Sequence, residues 1–143
     1  MSILKEENIM LNSQASGKLE AIKKTGQLLV DNGYVSQDYI EEMLKREEMS
    51  STYMGNFLAI PHGTDQSKGS VIHSGLSVLQ VPNGVDFGDG NIVKLLIGIA
   101  GKDGEHLDIL SQIAIVCSEE ENVEKLVQAT TEEEIIRILS EVN

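Results

Sequence analysis

The stretch from Ile92 to Ala100, Ile-Val-Lys-Leu-Leu-Ile-Gly-Ile-Ala, constrains the fold more than any other part of the chain. It is apolar on nearly both faces, as expected of a central strand covered on each side. Two further β-like runs share the glycine-punctuated middle of the sequence. Phe57 to Ile60 is stopped by Pro61, and Leu76 to Val81 is closed by the turn signal Pro82-Asn83-Gly84. A short apolar piece, Asn8 to Leu11, is a candidate for one more small strand.

Cover for such a sheet is written at both ends of the chain. From Gly17 to Asn32, Leu19, Ile22, Leu29 and Val30 recur at helical spacing, and Gly33 supplies a left-handed stop. Ser36 is read as the N-cap of a second helix running to about Glu48, with Val35 and Ile40 as a hydrophobic staple. Tyr39, Ile40, Met43 and Leu44 fall on one face of it. After the central strand, Leu107, Ile109, Leu110, Ile113, Ala114 and Val116 suit a buried helix over 105–117, with Asp103 read as its N-cap. Ser118 with Glu121 reads as a capping box for a helix to about Ala129. Thr130 with Glu133, or Thr131 with Glu134, reads as the box of a last helix.

A chain of 143 residues with 41% apolar content is enough for one domain with a real core, here taken as residues 1–143. The elements make it an α/β domain. Its net charge of −12 argues against a nucleic-acid surface, which needs clustered cations, and against an anionic membrane surface. The start, Met-Ser-Ile-Leu-Lys-Glu-Glu, lacks the basic-then-apolar pattern of a signal peptide. The run Leu95 to Ala100 is too short to span a bilayer. These features together point to a small acidic cytoplasmic domain. The single cysteine, Cys117, ends an apolar helical stripe and reads as a buried structural thiol.

Three histidines carry the available chemistry. His62 follows Leu58-Ala-Ile-Pro61 and precedes Gly63, so an imidazole is presented where an apolar strand ends. Taken alone, a turn histidine there needs no role. His106 falls in the first turn of the buried helix, where backbone N–H groups and the helix dipole favour an anion; an exposed first-turn histidine is the plainer alternative. His73 has no partner residue at a helpful spacing and reads as a surface residue. The three lie 11 and 33 residues apart with neither HxxxH nor HxH, so no metal site is expected. No glycine-rich phosphate cradle and no GxSxG is present. Arg46, near the end of the second helix, either favours the helix dipole or clamps a phosphoryl group carried at His62.

Three pieces taken together resemble a known family. These are Arg46-Glu-Glu with Ser51-Thr-Tyr-Met-Gly55-Asn56, then Ala59-Ile-Pro-His-Gly63, then Val93 to Gly101 with Gly104-Glu-His106-Leu-Asp-Ile-Leu110. The combination is similar to enzyme IIA of the mannitol/fructose class, the phosphocarrier domains of the bacterial phosphoenolpyruvate-dependent sugar phosphotransferase system. The resemblance covers nearly the whole chain. Pro-His-Gly-Thr64 looks more like the mannitol branch than the fructose branch, while Phe57 stands where family members often carry a small residue.

The resemblance implies an α/β, α+β-like sandwich: a mixed β-sheet flanked by helices on both sides. It implies that His62 is phosphorylated, that His106 assists, and that Arg46 stabilises the phosphoryl group, with no metal and no cofactor. The implied donor is phospho-HPr, whose surface carries a basic patch beside its histidine. The implied acceptor is a cysteine of a IIB domain on a separate chain, and neither nucleic acid nor direct membrane insertion is involved. A regulatory relative that binds target proteins according to its phosphorylation state, or a fructose-specific IIA, is the alternative. Docking against HPr leads us to expect an apolar rim near His62, with Phe57 and Leu58 as its candidates.

Overall fold

The computed structural model describes residues 3–64 and 69–140. The readings of the chain start at Met1 and of its end at Asn143 lie outside them. Among the described residues, five strands form one mixed sheet: β1 (Ile9–Met10), β2 (Tyr53–Gly55), β3 (Leu58–Ala59), β4 (Gly75–Asp86) and β5 (Ile92–Ala100), in the spatial order β1-β4-β5-β3-β2. β4 and β5 pair antiparallel, while β1 joins β4, and β3 joins β5, in parallel. β5 is thus central, as its two apolar faces require.

Helices cover both faces. α1 (Lys18–Asp31) and α2 (Tyr39–Met49) lie on one, and α3 (Glu105–Cys117), α4 (Glu120–Gln128) and α5 (Glu132–Leu139) on the other. Along β4 the faces alternate: Leu76 and Val78 point toward α3–α5, Leu79 and Val81 toward α1 and α2. Along β5 the alternation is shifted once. The amides of Lys94 and Leu95 both donate to the Phe57 carbonyl, at 2.8 and 3.1 Å, so one extra residue is accommodated. Val93 therefore packs on the α1–α2 side and Leu95, Ile97 and Ile99 on the other. None of the helices among the described residues is long and apolar enough to cross a membrane.

Several local expectations change. Pro82-Asn83-Gly84 does not close a hairpin: β4 runs through it with a register shift between Gln80 and Val85, and pairing with β5 resumes at Val85↔Val93. The hairpin closes instead over Phe87 to Asn91, where the Asp86 carboxylate accepts from Gly88 N–H at 2.7 Å. The physical reason is burial, since extending the ladder hides Val85, Phe87 and Val93. Ser36 does not cap α2; it sits in a preceding turn whose carbonyl accepts from Tyr39 N–H at 3.0 Å. Ser118 belongs to the end of α3, donating to Ile115 O at 2.8 Å, and Glu119 flanks the start of α4. Asp103, with φ of 55°, lies in a short 3₁₀ turn before Gly104, which flanks α3. Of the two boxes offered for the last helix, Thr131 with Glu134 is the pair that forms: Thr131 Oγ1 accepts from Glu134 N–H at 3.2 Å.

The buried face of α1 is rotated from the one the sequence implied, because Leu19 is 56% exposed while Ala21, Thr25 and Leu28 are buried. On α3, Ile109, Ile113 and Val116 are core, but Leu107 and Ile115 face outward. Cys117 is buried, and burial pushes its thiol up to about 11.

Candidate functional site

His62 sits where β3 leaves the sheet. Beyond Ala59, the chain stays paired with β5 through Ile99 N–H, which donates to Pro61 O at 3.0 Å, and through a bridge between His62 and Ile99. The imidazole Nδ1 lies 2.9 Å from the Ile60 carbonyl. A carbonyl only accepts, so Nδ1 carries a proton in this contact, and in the neutral form of the ring the lone pair lies on Nε2.

The backbone that carries His62 is held from α2. The hydroxyl of Tyr39 accepts from Gly63 N–H at 2.9 Å and donates to Ile99 O at 2.7 Å. Burial pushes that phenol up to about 12, so it remains a donor. One turn later Glu42 accepts from the Thr64 hydroxyl, and this bond, followed by that from Lys45, holds the Glu42 carboxyl below its usual range. At the other end of α2, the buried Glu47 accepts from Thr52 N–H at 3.0 Å and from its hydroxyl at 2.6 Å. Thr52 O in turn accepts from Ile60 N–H at 3.0 Å. Burial is the largest single influence on Glu47 and raises its pKa. Hydrogen bonds from Ser51 and Thr52, with the Lys18 ammonium 3.3 Å away, outweigh it, so the net displacement is downward.

Arg46 lies in the last turn of α2 and donates from Nη1 to Ser50 O at 2.8 Å and to Ser50 Oγ at 3.2 Å. The fork is therefore fixed at the helix end rather than trailing in solvent. His106 arrives from the opposite layer, in the first turn of α3, at the positive end of that helix's dipole. Its placement depends on Gly101. A Cβ at that glycine would lie 2.1 Å from His106 N and 2.3 Å from its Cα.

Arg46, His62 and His106 line one small cleft of ≈ 140 Å³, with Met49, Gly63, Thr64, Leu107 and Leu110. His73 is exposed and is not among the residues of this cleft. The expected apolar rim exists, but its members differ. Met49 is 74% and Leu107 62% exposed beside the cleft, whereas Leu58 is buried. Phe57 lines a separate hollow with Asn56, Lys94 and Val127, and Lys94 Nζ stands 4.8 Å from the centre of its ring. That displacement follows from the tight β2–β3 connection, where Gly55, Asn56 and Phe57 all have positive φ and turn the ring away. The sequence reading gives Tyr39, Gly101, Met49 and Leu107 no place at the site. Tyr39 and Leu107 read as helix core, and only a hydroxyl in the one and exposure in the other distinguish them. Among the described residues, no group of three or more His, Cys, Asp or Glu is arranged to hold a metal ion.

A family model described as "Phosphoenolpyruvate-dependent sugar phosphotransferase system, EIIA 2" matches residues 2–142. The mannitol-specific phosphotransferase enzyme IIA component of Geobacillus stearothermophilus is 65% identical over 143 residues, covering 100% of this chain and 99% of the relative. That of Bacillus subtilis is 60% identical over 143 residues, covering 100% of both. The fold matches enzyme IIA of the mannitol system from Escherichia coli, solved in complex with phosphorylated enzyme IIB. The TM-score there is 0.91 at 36% identity, over 96% of this chain and 97% of that one.

Proposed function

The chain belongs to the EIIA 2 family of the phosphoenolpyruvate-dependent sugar phosphotransferase system, and from that premise we propose that it carries phosphoryl groups on His62. Residues 1–143 act as one such domain, in the cytoplasm. Phospho-HPr is the donor, and a cysteine of a IIB domain on a separate chain is the acceptor. The sugar served is mannitol, a reading supported by full-length relatives at 60–65% identity that carry that name.

The observation that carries the proposal is the convergence of Arg46, His62 and His106 on one cleft from three distant segments. In the first step, Nε2 of His62 attacks phosphorus. The P–N bond to the donor histidine breaks as the bond to Nε2 forms, while the proton stays on Nδ1 against Ile60 O. Transfer of this kind spreads charge over the three equatorial oxygens, so catalysis is positioning plus charge stabilisation. Arg46, the His106 ring and the positive end of the α3 dipole are suited to those oxygens. In the second step, a partner thiolate attacks the same phosphorus and Nε2 leaves. Met49 and Leu107 supply the apolar rim that excludes water while two protein surfaces meet.

Incubation with enzyme I, HPr and labelled phosphoenolpyruvate should place an acid-labile, base-stable label on the protein, which then chases onto a mannitol IIB domain. His62→Ala should take up no label. A labelled His62→Ala protein would remove the assignment.

A further inference from the structure

The ladder between β5 and the His62 segment is interrupted in an unusual way. In a parallel bridge, a residue donates its N–H to the partner's preceding carbonyl and accepts from the following N–H. Ile99 meets the first condition, since its N–H donates to Pro61 O at 3.0 Å. The second bond would run from Gly63 N–H to Ile99 O. Instead the phenol of Tyr39 stands between them, accepting from Gly63 at 2.9 Å and donating to Ile99 at 2.7 Å.

We propose that Tyr39 is a positioning residue for phosphoryl transfer: its inserted hydroxyl splays the chain from β5 at Gly63 and so sets the aim of the His62 ring. The proposal rests on the reading of His62 as the phosphoryl acceptor. Insertion of an oxygen lengthens the link between Gly63 and β5 by one whole hydrogen bond. Pro61 O is the last backbone group bonded directly to β5, and His62 lies between it and the splayed Gly63. Tyr39 is 3% exposed and opens α2, the helix whose last turn carries Arg46, so one element sets both the ring and the guanidinium. The hydroxyl itself touches backbone and no reacting atom.

The test is Tyr39→Phe, studied in the full chain. Without the hydroxyl, Gly63 N–H can close directly on Ile99 O, and His62 swings with it. Transfer from phospho-HPr should slow about tenfold, less than the ~10²-fold that an ångström of misplacement costs, with the KM for phospho-HPr unchanged. NMR should show a new through-bond coupling between Gly63 N and Ile99 C′. The His62 ring nitrogens should also lose the pure Nδ1–H signature. Ile135→Val, a buried change on α5, serves as the comparison for destabilisation alone and should leave both rate and ring signals as they are. A Tyr39→Phe protein labelled on His62 at the wild-type rate would overturn the inference. So would a slowed one with unaltered His62 and Gly63 signals. A wild-type label found on another residue would overturn the reading of His62 itself, and the two failures are told apart by where the label sits.

Discussion

Replacing Gly101 with alanine drives a methyl group into the first turn of α3. The new Cβ would stand 2.1 Å from His106 N, 2.3 Å from its Cα and 2.4 Å from its Cβ. Two of these three atoms are backbone, so no rotamer change relieves the contact. Ordinary contact begins at 3.4 Å, and the shortest distance falls about 1.3 Å short of it. The backbone at Gly101 has φ of −123°, which alanine adopts readily, so the effect is steric and not conformational. The first turn of α3 must retreat and take the His106 ring with it. Misplacement of about an ångström costs ~10²-fold in rate, and overpacking of this kind costs ~1–3 kcal/mol in stability. Rapid-quench measurement of phosphoryl transfer from phospho-HPr, paired with thermal melting, reads both. Gly17→Ala is the control, because nothing lies within 4 Å of a Cβ there and its φ is 180°. A Gly101→Ala protein with the wild-type transfer rate and unshifted His106 amide signals would refute the reasoning.

Other outcomes follow from the same geometry. His106→Ala should fold and lose about 10²–10³ in transfer rate, the usual worth of a donor to developing oxyanion charge, while His73→Ala should be silent in the same assay. Phe57→Gly should leave transfer unchanged, because the ring lines a different hollow, and a slowed variant would restore Phe57 to the docking rim. Glu47→Ala should cost ~2 kcal/mol at neutral pH through the lost bonds to Thr52. Because the folded carboxyl is held below its unfolded value, that contribution is complete above the unfolded pKa. Calorimetry of both proteins should show their difference shrinking as pH falls through the lowered folded value. HPr association should slow as salt rises, given the net charge of −12, and a salt-independent association rate would exclude long-range attraction.

The elements with strong periodicity were legible in the sequence. β5 and α3 occupy the residues read for them, since a doubly apolar run and an i, i+4 stripe each leave little choice. Local turn chemistry was less reliable. Pro82-Asn83-Gly84 is a genuine turn signal, but the burial of Val85, Phe87 and Val93 beyond it favours a longer hairpin with an irregularity inside. Ser118 could serve either the helix before it or the one after, and only the chain path decides that it bonds Ile115 O. The cleft was half legible. Motif residues such as His62, His106 and Arg46 come together from separate segments. Tyr39 was visible only as an apolar helix position, because its role lies in a hydroxyl that bonds across 60 residues of sequence.

The cleft at His62 encloses only about 140 Å³. Pockets that engulf small organic ligands usually measure ~300–1,000 Å³. This one has room for a single tetrahedral group and a partner's side chain, not for a hexitol. The cleft is therefore blind to the sugar that the relay serves. On the reading of His62 as the phosphoryl acceptor, the cleft tells its protein visitors apart by their contours around Met49 and Leu107, and selectivity there is a matter of surfaces rather than of taste. Changing which sugar the relay serves would mean recutting that rim to fit a different visitor, with the chemistry in the cleft left as it stands.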